Sequence, residues 1–259
     1  MTDGSLAHLT YYETTLERPR YREPKRVLRH GAKVYSQNDE DGILQEIFRR
    51  IGMTNRSFAE FGVQDGGECN TALLLTSGWS GLWLEAEPAY HPLIRDRFRP
   101  FIDIGQLDAR EATVTAENVD DLLGGLDRDL DLLSIDIDYN DYWVWRALSR
   151  IRPRVVVVEY NASLKPPLSL AAPYGADAAW DGGNFYGASL KAFEKLGREK
   201  GYRLVGCCFS GVNAFFVRDD VAGDRFHAPY TAENHYEPPR YFMRYLQGHR
   251  PGYGRYVQV

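Results

Sequence analysis

The sequence has little of what marks several large classes of protein. In 259 residues no apolar run approaches the roughly 18 needed to cross a bilayer, so no spanning helix is expected. Basic charge is not in excess. Lys and Arg total 31 against 36 Asp and Glu, a formal charge of −5, which argues against a nucleic-acid partner held by a basic surface. Only three cysteines occur, two of them adjacent (Cys207, Cys208), and they have neither the number nor the spacing of a disulfide framework or a metal site. They read as buried thiols of a reducing cytoplasm. The first nine residues lack the apolar core of a signal peptide, and no internal repeat is visible.

What is present is alternation. Short apolar runs over 57–61, 81–85, 101–107, 130–136 and 154–159 are separated by helical patterns over 70–77, 90–99, 115–123 and 142–150. An uninterrupted run such as Val155-Val156-Val157-Val158 implies a parallel sheet covered on both faces, hence an α/β fold. A helix over 39–51 precedes the alternation. After it come a helix over 188–200 and two strands, 202–209 and 212–217, joined by Ser210-Gly211, which read as an antiparallel hairpin. Residues 1–30 are polar and aperiodic and are expected to form a surface arm. Residues 31–218 form the main domain, and 219–259 a tail rich in Tyr, Arg, Pro and His whose histidines are expected to face solvent.

The stretch Glu60-Phe61-Gly62-Val63-Gln64-Asp65-Gly66 leads from the first strand into a helix. Gly62 and Gly66 allow positive φ and close approach of a ligand to the backbone. Glu60 is an acceptor for an amino group, which favours a cationic or amine-bearing ligand over a phosphate. Glu85 ends the second strand, where an acid accepts hydrogen bonds from ribose hydroxyls. Asp108, taken as the end of the third strand, is a candidate for an adenine amine.

Acids gather at two further strand ends. The fourth strand finishes at Asp136, with Asp138 two residues on, and the fifth at Glu159-Tyr160-Asn161. Carboxylates this close raise one another's pKa, and a hard divalent cation with oxygen ligands relieves the repulsion. The long segment 161–187 has no period and is too long for an ordinary connection, as functional lids are. Its Tyr174, Trp180, Asp181, Asn184 and Tyr186 suit stacking on a sugar or another polar ring; the alternative is a loop that packs its aromatics on the sheet.

These residues resemble a known family. Ser36-Gln37, Glu40-Asp41-Gly42, Glu60 to Gly66, Asn70-Thr71, Gly78 to Gly81 and Glu85 look like the FkbM-type S-adenosylmethionine-dependent methyltransferases, and the likeness continues to about Arg218. It implies a Rossmann-like class I fold, with a mostly parallel seven-stranded sheet ending in an antiparallel hairpin. Glu60, Gly62, Gly66 and Asn70 would line the methionine end of the cofactor and Glu85 its ribose. Ser36 and Gln37 would lie near it, although simple helix capping accounts for them equally well. The run Asp136-Ile137-Asp138 is similar to that of metal-dependent sugar O-methyltransferases of macrolide and aminocoumarin tailoring. Carried over, Asp136 matches a ligand of Mg²⁺ or Mn²⁺ and Asp138 the general base, with Glu159 and Asn161 as looser matches to the other ligands. FkbM-type sequences place Gly where this chain has Tyr139, so a positive φ there would strain it. The implied acceptor is a small-molecule hydroxyl, carbohydrate-like, and a homo-oligomer is left open. Two rival readings are a D-x-D glycosyltransferase built on Asp136 and Asp138, and a cofactor-binding module without catalysis.

Overall fold

The computed structural model describes residues 3–241 and 257–258. Its strands are β1 (Ser57–Phe61), β2 (Ser80–Glu85), β3 (Leu107–Glu111), β4 (Leu132–Ile135), β5 (Val155–Glu159), β6 (Leu170–Ala171), β7 (Tyr202–Cys207), β8 (Asn213–Arg218) and β9 (Val257–Gln258). Seven of them make one sheet in the order β3-β2-β1-β4-β5-β8-β7. The first five are parallel, and β8 runs antiparallel to both β5 and β7. This is the Rossmann-like class I topology, with the reversed hairpin at one end. β6 and β9 pair separately, tying the segment after β5 to residues 257–258.

Both faces of the sheet are buried because the strands carry apolar side chains on both. Val156 and Val158 pack with Trp145, Phe193 and Phe216 on one face. Val155 and Val157 pack with Phe48, Trp83 and Phe98 on the other. Helix α3 (Glu40–Ile51) lays Ile43, Leu44, Ile47 and Phe48 on the second face, all nearly inaccessible. The covering helices α8 (Asp141–Ala147) and α9 (Leu190–Glu199) hold the first.

Three expectations are corrected. Residues 3–16 are not aperiodic arm but helix α1 (Asp3–Leu16), followed by α2 (Pro19–Arg22). The helix docks by a few aromatics, Tyr12 meeting Phe209 edge-on at 4.7 Å, instead of by the continuous apolar stripe that betrays a helix in sequence. The third strand starts six residues later than its apolar signal. Phe101 and Ile102 belong to α6 (Arg99–Ile102), while the true strand is an edge, mostly exposed and therefore polar. In the tail, α11 (Ala232–His235) packs against β7, and His235 is buried with Nε2 beside the His227 carbonyl at 3.0 Å. His249 lies outside the described residues. Cys69, Cys207 and Cys208 are free and buried. No helix among the described residues is long and apolar enough to cross a membrane.

The tail is clamped to the N-terminal helices through one buried acid. Glu237, 1% exposed, accepts from Arg20 Nη2 (3.1 Å), the Tyr21 hydroxyl (2.8 Å) and Arg240 Nη1 (2.8 Å). Its carbonyl accepts from the Tyr160 hydroxyl just past β5.

Candidate active site

Every parallel strand ends on the same side of the sheet, and the site lies there. Between β1 and α4 (Ala72–Thr76) the chain turns with positive φ at Gly62 (+74°), Gln64 (+50°) and Gly66 (+79°). Glu60 holds this turn closed. Its Oε1 accepts from Asn70 N (2.8 Å), and its Oε2 accepts from Thr71 N (3.0 Å) and the Thr71 hydroxyl (2.5 Å). Burial pushes the Glu60 carboxyl up to about 7, against the pull of those hydrogen bonds. Asn70 Nδ2 in turn donates to the Ser134 hydroxyl on β4. Glu60 and Asn70 line the cleft, yet their polar atoms are engaged with the chain's own loop.

Glu85 behaves differently. Each of its oxygens accepts a single backbone N–H, Oε2 from Gln64 (2.6 Å) and Oε1 from Glu87 (2.8 Å). A carboxylate has about four acceptor positions, so capacity remains toward the cleft that Glu85 lines. Asp108 is misplaced by the sequence reading. It stands opposite Leu82 in the first half of β3, half-exposed and paired with Arg110, away from the cleft. The true end of that strand brings Ala112, Thr113 and Val114 to the cleft instead. The edge strand's lack of apolar signal hid them.

Asp136, Asp138 and Glu159 converge, with one carboxylate oxygen of each within 4.8 Å of the others. Residues two apart on an extended strand point to one face, but β4 has ended at Ile135 and the chain turns between Asp136 and Asp138. It does so at Asp138, whose φ is +65° while Tyr139 N donates to the Ile137 carbonyl at 2.9 Å. This is a γ-turn of the rarer, strained kind. The positive φ therefore falls on Asp138, not on Tyr139, and Asp tolerates it better than a bulky aromatic. Asp141 caps the turn, accepting from Ile137 N (2.9 Å).

Burial and mutual repulsion set the protonation of this group. Asp136 is pushed well above the carboxylate range by burial, then by Asp138 and Asp141. Glu159 is pushed well up by burial, then by Asp136 and Asp138. Asp138 is raised by burial and by Glu85, and Asp141 rises to about 7 by burial. Asn161 is not in the cluster. Its Nδ2 donates to the carbonyls of Asn184 (2.9 Å) and Tyr186 (3.1 Å) and its Oδ1 accepts from Ser163 N, so it fastens the long segment instead.

That segment reaches the cleft through Trp180 and Tyr186, whose rings lie 5.9 Å apart. Tyr174 turns outward onto Glu117, Asp181 accepts from Gly183 N, and Asn184 presents its carbonyl to Asn161; none of the three is part of the cleft lining. Tyr241, from the tail, completes the wall with its hydroxyl 3.1 Å from that of Tyr186. No periodicity or motif pointed to it. Ser36 is fully buried and caps α3, exchanging hydrogen bonds with Asp41, whereas Gln37 borders the cleft. The cleft has two lobes of about 640 and 750 Å³ that share Gln37, Gly62, Gln64, Tyr90 and Asp136.

No family model matches the sequence, and no curated protein matches it. Solved structures do. The N-terminal domain of EvdMO1 with SAH bound is 14% identical, covering 84% of this chain and 96% of that one, with a TM-score of 0.44. Magnesium protoporphyrin IX methyltransferase (ChlM) from Synechocystis PCC 6803 with bound SAM is 10% identical over 84% of this chain and 98% of that one, TM-score 0.44. An O-methyltransferase from Bacillus cereus in complex with SAH is 16% identical over 62% and 68%, TM-score 0.37. These are likenesses of fold at identities too low to transfer an activity.

Proposed function

We propose that the chain is an S-adenosylmethionine-dependent methyltransferase of the FkbM type, which methylates a hydroxyl of a sugar, cyclitol or related natural product with help from a divalent cation. The observation that carries this reading is one continuous cleft at the carboxyl edge of the sheet. In it a glycine turn, an acid at the end of β2 and a three-acid cluster meet. The first two suit a nucleoside joined to an amino acid. The third suits deprotonation of a neutral acceptor.

The acid set fits a hard cation. Three carboxylates held this close stay charged together only with a positive partner, and among the described residues the one guanidinium lining that lobe, Arg240, is spent on Glu237 and the Phe209 carbonyl. Asp136 and Glu159 would hold Mg²⁺ or Mn²⁺, with Asp138 beside them as the base. When bound, the cofactor supplies an electrophilic methyl group and the cation acidifies the acceptor hydroxyl.

The chain's own residues do the rest. Glu85 accepts the ribose hydroxyls and so fixes the cofactor along its length. Gln37 and the backbone of Gly62 border the amino-acid end. Asp138, presented by its γ-turn, accepts the hydroxyl proton at a carboxylate oxygen. Trp180 and Tyr186 stack on the acceptor and keep bulk water from the acid cluster. In-line positioning of this kind contributes several kcal/mol, and a placed base on the order of 10²–10⁴-fold.

Isothermal titration tests the reading. S-adenosylhomocysteine should bind without a sugar nucleotide. Binding of UDP- or GDP-sugar with Mg²⁺ and none of S-adenosylhomocysteine would replace it with a D-x-D glycosyltransferase.

A further inference from the structure

Two asparagines border the acid cluster, and each has an orphaned oxygen. Asn213 begins β8 directly opposite Glu159 in the antiparallel pair, so the two side chains leave the sheet on the same face. It is 2% exposed and lines the glycine-loop lobe beside Asp136. Asn140, 4% exposed, follows the γ-turn and lines the other lobe with Asp136, Asp138 and Glu159. In both, Oδ1 is buried and has no hydrogen-bond partner.

Neither amide is free to turn over. Asn213 Nδ2 donates to Glu40 Oε1 at 3.0 Å, and Asn140 Nδ2 donates to the Gly175 carbonyl at 2.8 Å. Both partners can only accept, so reversing either amide would set oxygen against oxygen. The orientation is thus fixed by chemistry, and the oxygens are committed to be the unsatisfied ends. A buried polar atom without a partner costs about 1–3 kcal/mol, and two of them flanking one acid cluster call for one donor or cation between them. Other occupants serve less well. Arg240 is engaged elsewhere, and Arg97 of the glycine-loop lobe pairs with Asp65.

The geometry points to Asn213 and Asn140 as the neutral oxygen partners of the divalent cation that Asp136 and Glu159 would hold, with Glu40 and the Gly175 carbonyl as the groups that aim them. This rests on the cation reading above. It replaces Asn161 as the amide of the site. It also links the site to the segment 161–187, because the carbonyl that aims Asn140 belongs to that segment. Neutral oxygens beside three acids fit a hard ion that keeps part of its water, since amide oxygens accept from such water as well as bind the ion itself.

The test uses the full chain and Mn²⁺ alone, with free Mn²⁺ read by electron paramagnetic resonance. The wild type should bind one ion, Asp136→Asn with Glu159→Gln should abolish binding, and Asn213→Leu and Asn140→Leu should each weaken it about 10–100-fold. Asn213→Asp, which keeps an oxygen in place, should bind at least as tightly as wild type. Thermal melting shows which variants fold; if Asn213→Leu does not, Asn140→Leu and Asn213→Asp carry the test. A wild type that binds no Mn²⁺ overturns the cation reading itself. A wild type that binds it, with both leucine variants unchanged, overturns only the role of the asparagines. Loss of S-adenosylhomocysteine affinity in Asn213→Leu with Mn²⁺ binding intact would also overturn it and assign that oxygen to the cofactor.

Discussion

The carbonyl oxygen of Asp136 lies 1.7 Å from where a Cβ on residue 62 would sit. The glycine turn after β1 and the acid that ends β4 are therefore packed backbone to backbone, and neither can move without the other. Gly62→Ala meets both this clash and a φ of +74°. We expect it to cost about 1–3 kcal/mol in denaturant unfolding, the range for overpacking, and to weaken S-adenosylhomocysteine binding in the fraction that folds. Wild-type stability and affinity in that variant would mean that the turn relaxes freely.

Glu85 offers the cleft its spare acceptor positions. Glu85→Ala should remain folded and lose about 1.5–3 kcal/mol of S-adenosylhomocysteine affinity by calorimetry, the worth of hydrogen bonds to a charged group. Unchanged affinity removes Glu85 from the ribose site.

Asp138 is the base in the proposed reaction. Turnover should climb with pH as the Asp138 carboxylate ionises. Asp138→Asn tolerates the positive φ and should lower kcat on the order of 10²–10⁴-fold, with the deficit shrinking at high pH if hydroxide substitutes. A variant with full kcat at neutral pH would refute the role.

Stability should fall as pH rises. Glu60 and Asp141, ordinarily near 4.5 and 3.8, are both raised to about 7 in the fold. Between those limits the folded state holds protons that the unfolded state has released, so folding loses free energy as pH increases across roughly 4 to 7. At about 1.36 kcal/mol per pKa unit the two shifts together correspond to roughly 8 kcal/mol as an upper bound. Melting temperature without added metal should therefore decline from pH 5 to 7.5. Mg²⁺ should offset the decline most at the upper end, because it neutralises the acids the pH exposes. A melting temperature that rises over this interval would contradict the assignment.

Trp180 reaches the cleft from the long segment. Trp180→Ala should raise KM for an acceptor found in a sugar and cyclitol methyl-transfer screen and leave S-adenosylhomocysteine binding unchanged. Loss of both would make the segment a cover for the cofactor.

How much of this was legible depended on burial. β1, β2 and β5 lie inside the sheet and announce themselves by unbroken apolar residues, and the hairpin by Ser210-Gly211 at its turn. β3 is an edge strand with one buried residue, so its pattern misled, and Asp108 went with it. The acids Asp136, Asp138 and Glu159 were visible because strand ends share one edge. Asn161 was not separable from Asn213 in sequence, since only the pairing of β8 with β5 shows which amide faces Glu159. Tyr241 was beyond reach for the same reason: the tail has no period, and its position follows from the buried acid that anchors it.

That anchor makes the chain's two extremities a single part. Glu237 takes two of its three side-chain partners, Arg20 and Tyr21, from residues that look dispensable in sequence. A protein shortened to begin at residue 31 would keep every strand of the sheet. It would also leave an enclosed carboxylate with only Arg240, and breaking such a buried arrangement typically costs about 3–5 kcal/mol. The first region to loosen would be the wall that Tyr241 contributes, so the shortened protein would lose the proposed acceptor side of the cleft before it failed at folding.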